Sequence, residues 1–201
     1  MSVRLTSKGT ATRQRLVAGA ALLMREQGAA DTSLDQVLHA TSTSKSQLFH
    51  YFPDGRAGLL LAVTDYEAEQ VLEAQRPYLD DLSTVESWKA WRDAVVDHYA
   101  RLGQRCPMGA LTSELGNSSP EARRVVSDLY DRWEGALLAG IQALIAAGLV
   151  PAGFPARDTA RSILTAVQGG VVMLRATGRL SYLETALGAA LRPVFEAPVP
   201  A

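Results

Sequence analysis

The chain predicts an all-α fold, and three features of its 201 residues predict it. Apolar residues recur three and four positions apart along nearly the whole length. No segment alternates apolar and polar residues long enough for a half-buried strand. Serines followed three positions later by Gln or Glu, with glycines and prolines between segments, punctuate the chain as helix starts and stops. A hydrophobic content of 47% with 20% charged residues is that of a folded globular chain. About nine helices are expected.

The first, "ATRQRLVAGAALLMREQG", sets Leu16, Ala20 and Leu23 on one stripe and stops at Gly28. "SLDQVLHA" is a short second helix, with Ser33 and Gln36 at capping-box spacing, and "SKSQLFHYF" repeats the signal with Ser44 and Gln47. From Gly55 a longer helix carries Leu59, Leu60, Val63 and Tyr66 and ends by Pro77. "VESWKAWRDAVVDHYARLGQ" aligns Trp88, Trp91, Val95 and Leu102, and "PMGALTSELG" reads as a short helix between loops. Ser119 then caps a long helix with Pro120 in its first turn, where a missing N–H is harmless. Its stripe runs Val126, Leu129, Trp133, Leu137, Ile141 and Leu144, and Gly148 and Pro151 end it. "PARDTARSILTAVQGGVVMLRATG" and "SYLETALGAALRPVF" follow, the last opened by Ser181 with Glu184.

Composition narrows the function classes. No apolar run approaches twenty residues, so no membrane partner is expected. "MSVRLTSKGTATRQR" lacks the apolar core of a leader peptide. A single cysteine, Cys106, allows no internal disulfide and fits a reducing, cytoplasmic setting. There is no phosphate-binding loop, GxGxxG or H-E-x-x-H, and the three histidines are dispersed. The expectation is a non-enzyme without cofactor or metal. Residues 1–60 hold seven Lys/Arg against four Asp/Glu, while the remainder is net acidic, so the basic end suits a polyanion.

The two short helices, separated by about four residues and preceded by a longer one, form a helix-turn-helix pattern. Its second helix enters the major groove of DNA by its N-terminal end. Ser44, Lys45, Ser46 and Gln47 supply the small polar leading face this needs, and Leu48 and Phe52 lock the helix inward. Lys45 suits a phosphate or guanine edge; Gln47 either pairs with adenine or closes its own capping box. Thr32 and Ser33 offer hydroxyls and N–H groups to a phosphate, His50 another donor, and Arg56 a clamp on the backbone. Arg4, Lys8 and Arg13 are expected in a flexible, phosphate-binding arm.

From Arg15 to Val63 the sequence resembles the TetR/AcrR type of bacterial transcriptional regulators. The shared pattern here is Gly28, Thr32-Ser33, Ser44-Lys45, Leu48-Phe49, Phe52, and Arg56 with Leu59. Three features, at four positions, depart from it. Ser42 and Thr43 replace a glycine and an apolar residue in the turn, Phe49 replaces a tyrosine whose hydroxyl often reaches DNA, and Gln47 replaces a small residue. The resemblance implies a DNA-binding head, residues 1–56, with Phe49 also at the DNA. It implies an effector-binding and dimerising body, residues 57–201. It further implies a homodimeric repressor on a palindromic double-stranded DNA operator, released by a small-molecule effector. "CPMGALTSELGNSSPEAR" looks like a subset that includes electrophile sensors.

In the body, Gly169-Gly170 costs a helix about 2 kcal/mol relative to two alanines. Its neighbours Val167, Gly170, Val171, Leu174, Leu183, Leu187 and Leu191 fit either a four-helix dimer interface or packing within one chain. Trp88, Trp91, Tyr99, Cys106, Met108, Leu111, Trp133, Gln168 and Met173 read either as effector pocket or as core. Cys106 follows Arg101 and Arg105, so it is either an activated thiolate or an inert thiol. The alternative function is a helical carrier of hydrophobic ligands without sequence-specific DNA binding.

Overall fold

The computed structural model describes residues 6–105 and 115–197. Every regular element among them is helical: eight α-helices and two 3-10 turns, Tyr78–Asp80 and Gly103–Arg105. They form two compact units, residues 6–70 with 115–127, and 71–105 with 128–197. The helix expected over "PMGALTSELG" lies almost wholly outside the described residues. No helix among the described residues is long and apolar enough to cross a membrane.

In the first unit α1 spans Ser7–Gln27, starting earlier than its apolar stripe. Thr6 is the reason: its side-chain oxygen accepts from the Gly9 N–H at 3.2 Å and caps the helix. Lys8 and Arg13, expected in a flexible arm, are therefore helical, while Arg4 lies outside the described residues. Helices α2 (Leu34–Thr41) and α3 (Lys45–Tyr51) both open on the capping boxes their spacing predicts. Between them Ser42 adopts the left-handed conformation, φ 49° and ψ 45°. That conformation costs a side-chain-bearing residue about 1–2 kcal/mol, and the turn is held by the Thr43 N–H donating to the Leu38 carbonyl at 3.1 Å. Helix α4 spans Arg56–Glu73. Leu16, Ala20, Val37, Leu48, Phe52, Leu59 and Val63 are buried as the core of this unit.

The second unit contains α5 (Val85–Leu102), most of α6 (Pro120–Ala146), α7 (Ala156–Thr177) and α8 (Ser181–Phe195). Ser119 caps α6 as expected, accepting from the Ala122 N–H at 3.1 Å. The box expected from Ser181 and Glu184 is not formed. Leu180 already has helical angles, φ −66° and ψ −28°, which places Ser181 inside the first turn. Trp88, Trp91, Val95, Trp133, Leu137, Ile141 and Leu144 are buried in this unit.

Helices α7 and α8 pack along Val167, Gly170, Val171 and Leu174 on one side and Leu183, Leu187 and Leu191 on the other, all buried within one chain. A Cβ at Gly170 would stand 2.5 Å from the Leu183 Cα, so only glycine permits this crossing. These seven residues, weighed above for a two-chain interface, are thus enclosed in the seam of a single chain. The opposite side of the pair is small and apolar. Thr165, Gly169, Val172 and Met173 on α7 and Thr185 and Ala189 on α8 are exposed, Val172 by 57%.

Candidate nucleic-acid interface

Helix α3 buries one residue, Leu48, and leaves Lys45, Ser46, Gln47, Phe49 and His50 exposed. Its capping box accounts for Ser44 and half of Gln47. The Gln47 N–H donates to Ser44 Oγ at 3.2 Å, and the Ser44 N–H donates to Gln47 Oε1 at 3.0 Å. The box uses only the carbonyl oxygen of Gln47, so its amide nitrogen remains a donor at the helix tip. Both sequence readings of Gln47, cap and reader, are compatible with this one geometry.

At the start of α2 the polar groups are largely committed inward. The Ser33 N–H donates to Gln36 Oε1 at 2.7 Å, and the Gln36 N–H donates to Ser33 Oγ at 3.2 Å. Thr32 is 1% exposed, its hydroxyl donating to the Gly28 carbonyl at 2.8 Å and accepting from Gln27 Nε2 at 3.3 Å. The Thr32 side chain thus fastens the loop rather than facing outward. Arg56 also differs from a free backbone clamp: its guanidinium donates to the Ala29 and Thr32 carbonyls. Sequence spacing could not show this, because the acceptors are main-chain atoms 24 and 27 residues away.

Two more arginines hold the head together. Arg15 Nε donates to the Thr41 carbonyl at 3.0 Å, tying α1 to the end of α2. The Arg13 guanidinium lies 5.2 Å from the centre of the Phe52 ring, a cation–π contact. Farther along, Arg25 Nε meets Glu67 Oε1 at 3.0 Å, joining α1 to α4. Glu67 is 1% exposed; burial pushes its pKa above the usual carboxylate value, with Arg25 pulling the other way. Its Oε2 is buried without a partner among the described residues.

The residues weighed for an effector pocket divide into three groups. Trp88, Trp91, Tyr99 and Trp133 are buried, Gln168 is half-buried, and Met173 points outward at 37% exposure. Cys106, Met108 and Leu111 lie outside the described residues. Trp91 Nε1 donates to Gln75 Oε1 at 3.0 Å, whereas Trp88 Nε1, Trp133 Nε1 and Gln168 Nε2 are buried with no acceptor among the described residues. Tyr130 and Gln168 Oε1 are 3.3 Å apart, which brings Gln168 of α7 beside the α6 turn that carries Trp133.

A family profile described as "Transcriptional regulator LmrA/YxaF-like, C-terminal domain", a TetR C-terminal domain, matches residues 84–188, just over half of the chain. The chain is similar to an uncharacterized HTH-type transcriptional regulator of Mycobacterium tuberculosis, at 28% identity over 183 residues, covering 86% of this chain and 88% of that one. The uncharacterized HTH-type regulator YxaF of Bacillus subtilis is 25% identical, over 84% of this chain and 87% of that one. Among solved structures, a TetR transcriptional regulator from Chloroflexus aurantiacus superposes with a TM-score of 0.79 at 26% identity, covering 96% of this chain and 98% of that one. A TetR-family regulator from Cytophaga hutchinsonii gives the same score at 18% identity, over 98% and 100% of the two chains, which speaks to the fold alone. A helical body with a capped, outward-facing helix-turn-helix defines a DNA-binding transcriptional regulator. The chain belongs to the TetR family.

Proposed function

We propose that this chain is a cytoplasmic repressor that binds a palindromic operator as a homodimer and is released when a small-molecule or electrophile effector occupies its body. Residues 1–56 carry the DNA contacts, and residues 57–201 carry effector binding and dimerisation. The observation that carries the reading is α3: a short capped helix whose Lys45, Ser46 and Gln47 are all exposed at its leading end. Ser33, Ser44, Phe49 and His50 stand by as further contacts, with the Thr32 and Arg56 side chains positioning them from behind. The exposed face of Val172, Met173, Gly169 and Ala189 supports a dimer, since a palindromic site requires two heads about 34 Å apart. The three buried donors of Trp88, Trp133 and Gln168 support a ligand in the body, because such groups are ordinarily satisfied.

The test is fluorescence anisotropy of a labelled duplex from upstream of the chain's own gene, with unrelated DNA as competitor. The double variant Lys45→Ala, Gln47→Ala is expected to weaken binding at least about tenfold, since each good base-edge contact contributes about 1–3 kcal/mol. Its circular dichroism and melting temperature should match the parent's. Unchanged affinity in a folded variant would show that α3 is not the reading helix. A carrier without DNA affinity would give weak binding, equal on both duplexes.

A further inference from the structure

Phe49 is 42% exposed on α3, beside the fully buried Leu48. Its ring is backed by the following turn: Gly55 has φ +60°, and a Cβ there would stand 3.2 Å from the Phe49 Cε1. One edge of the ring thus packs close to the Gly55 backbone, while its other face stays open. The ring lines a hollow together with Leu34, Leu38, Leu48, Asp35 and Lys45. A benzyl ring offers neither donor nor acceptor to a phosphate, and of the two charged side chains in the hollow Asp35 repels one while Lys45 attracts one, so the apolar wall decides what fits beside Phe49. The hollow therefore suits a base edge. Among the base edges in the major groove, the apolar group on offer is the C5-methyl of thymine.

We propose that Phe49 is a specificity-determining residue that selects thymine in each half-site by packing on its C5-methyl group. This rests on the reading of α3 as the DNA-reading helix. Lys45, one turn earlier on the same side of α3, then meets the neighbouring guanine edge or phosphate. Selection is by apolar contact alone, so it is sensitive to one methyl group and indifferent to hydrogen bonding at that base pair.

The full chain is first used to select its binding sequence from a random duplex library, and each thymine of the selected site is then replaced by deoxyuridine. Uracil keeps every hydrogen-bonding group of thymine and lacks only the methyl. At one thymine position, related by symmetry in the two half-sites, replacement is expected to weaken binding about fourfold per methyl and about fifteenfold for the pair. Phe49→Ala should bind thymine and uracil duplexes equally, and Phe49→Tyr should keep the preference. Phe49 is surface-exposed, so these variants should fold, with melting temperature as the check. If a motif is selected but no deoxyuridine replacement matters, or if Phe49→Ala keeps the preference, the assignment to Phe49 is overturned while the regulator reading stands. If no motif is selected at all, both fall together.

Discussion

Glu67 sits 1% exposed with one oxygen on Arg25 and the other without a partner among the described residues. A buried carboxylate in that state resists ionisation, and its pKa is raised, burial being the larger cause and Arg25 the opposing one. The sign of the stability effect follows by linkage. The folded state holds this proton more tightly than the unfolded state, so the contribution is fully present below the ordinary value of 4.5 and is lost as pH rises through the raised value. Glu67→Gln keeps the oxygen that accepts from Arg25 and removes the ionisable group. Its melting temperature at pH 7 should equal or exceed the parent's, and the difference should vanish or reverse near pH 4. A large destabilisation at pH 7 would mean that the Arg25 attraction dominates burial. At this scale the sequence was least informative: α4 reads as an apolar stripe, and Glu67 shows its burial only once α1 is laid against it. The same holds for Arg56, whose carbonyl partners carry no side-chain signature.

Among the elements, α2 and α3 were legible because their signals are local. Ser33 with Gln36 and Ser44 with Gln47 are complete within four residues, and both boxes form. The seam of α7 and α8 was not, because a glycine in a helix announces a close approach without naming what approaches. Gly170 admits Leu183 of its own chain, and the exposed stripe lies around the helix from it. The proposed dimer contact is therefore assigned to Val172 and its neighbours, since the leucine seam is filled within one chain. Val172→Glu is expected to give a folded monomer of 21.6 kDa by light scattering, and the parent twice that mass. The melting temperature should fall only by what dissociation removes. A dimeric Val172→Glu would place the interface elsewhere.

For the whole molecule, the chain's formal charge of −1 is a poor guide to its affinity for DNA, and so is its count of basic residues. Arg13, Arg15, Arg25 and Arg56 each have an internal partner within the first unit. Lys8 and Lys45 stand exposed with no such partner among the described residues. Two such cations among the described residues of each head make about four in the proposed dimer, and with about 0.9 counterions released per phosphate neutralised, the salt slope of operator binding should lie near −4. A plot of log affinity against log salt checks this. A slope of about −11 would mean that all four arginines of each head abandon their internal contacts on DNA. The all-helical build was legible throughout, since periodicity survives in any helix that packs one face. The caps of the proposed reading helix were legible, but the partners of the head's arginines were not, because a guanidinium that fastens a loop and one that grips a phosphate are the same letter.

The division between the Gly170 seam and the face around Val172 has an evolutionary reading. If the proposed dimer forms through that face, folding and partner choice are written on different residues of the same two helices. Substitutions on the outward stripe leave the crossing at Leu183 untouched, so duplicated copies of such a gene can diverge in whom they pair with while each still folds. Related regulators in one cell would thus become separate switches through a handful of surface changes.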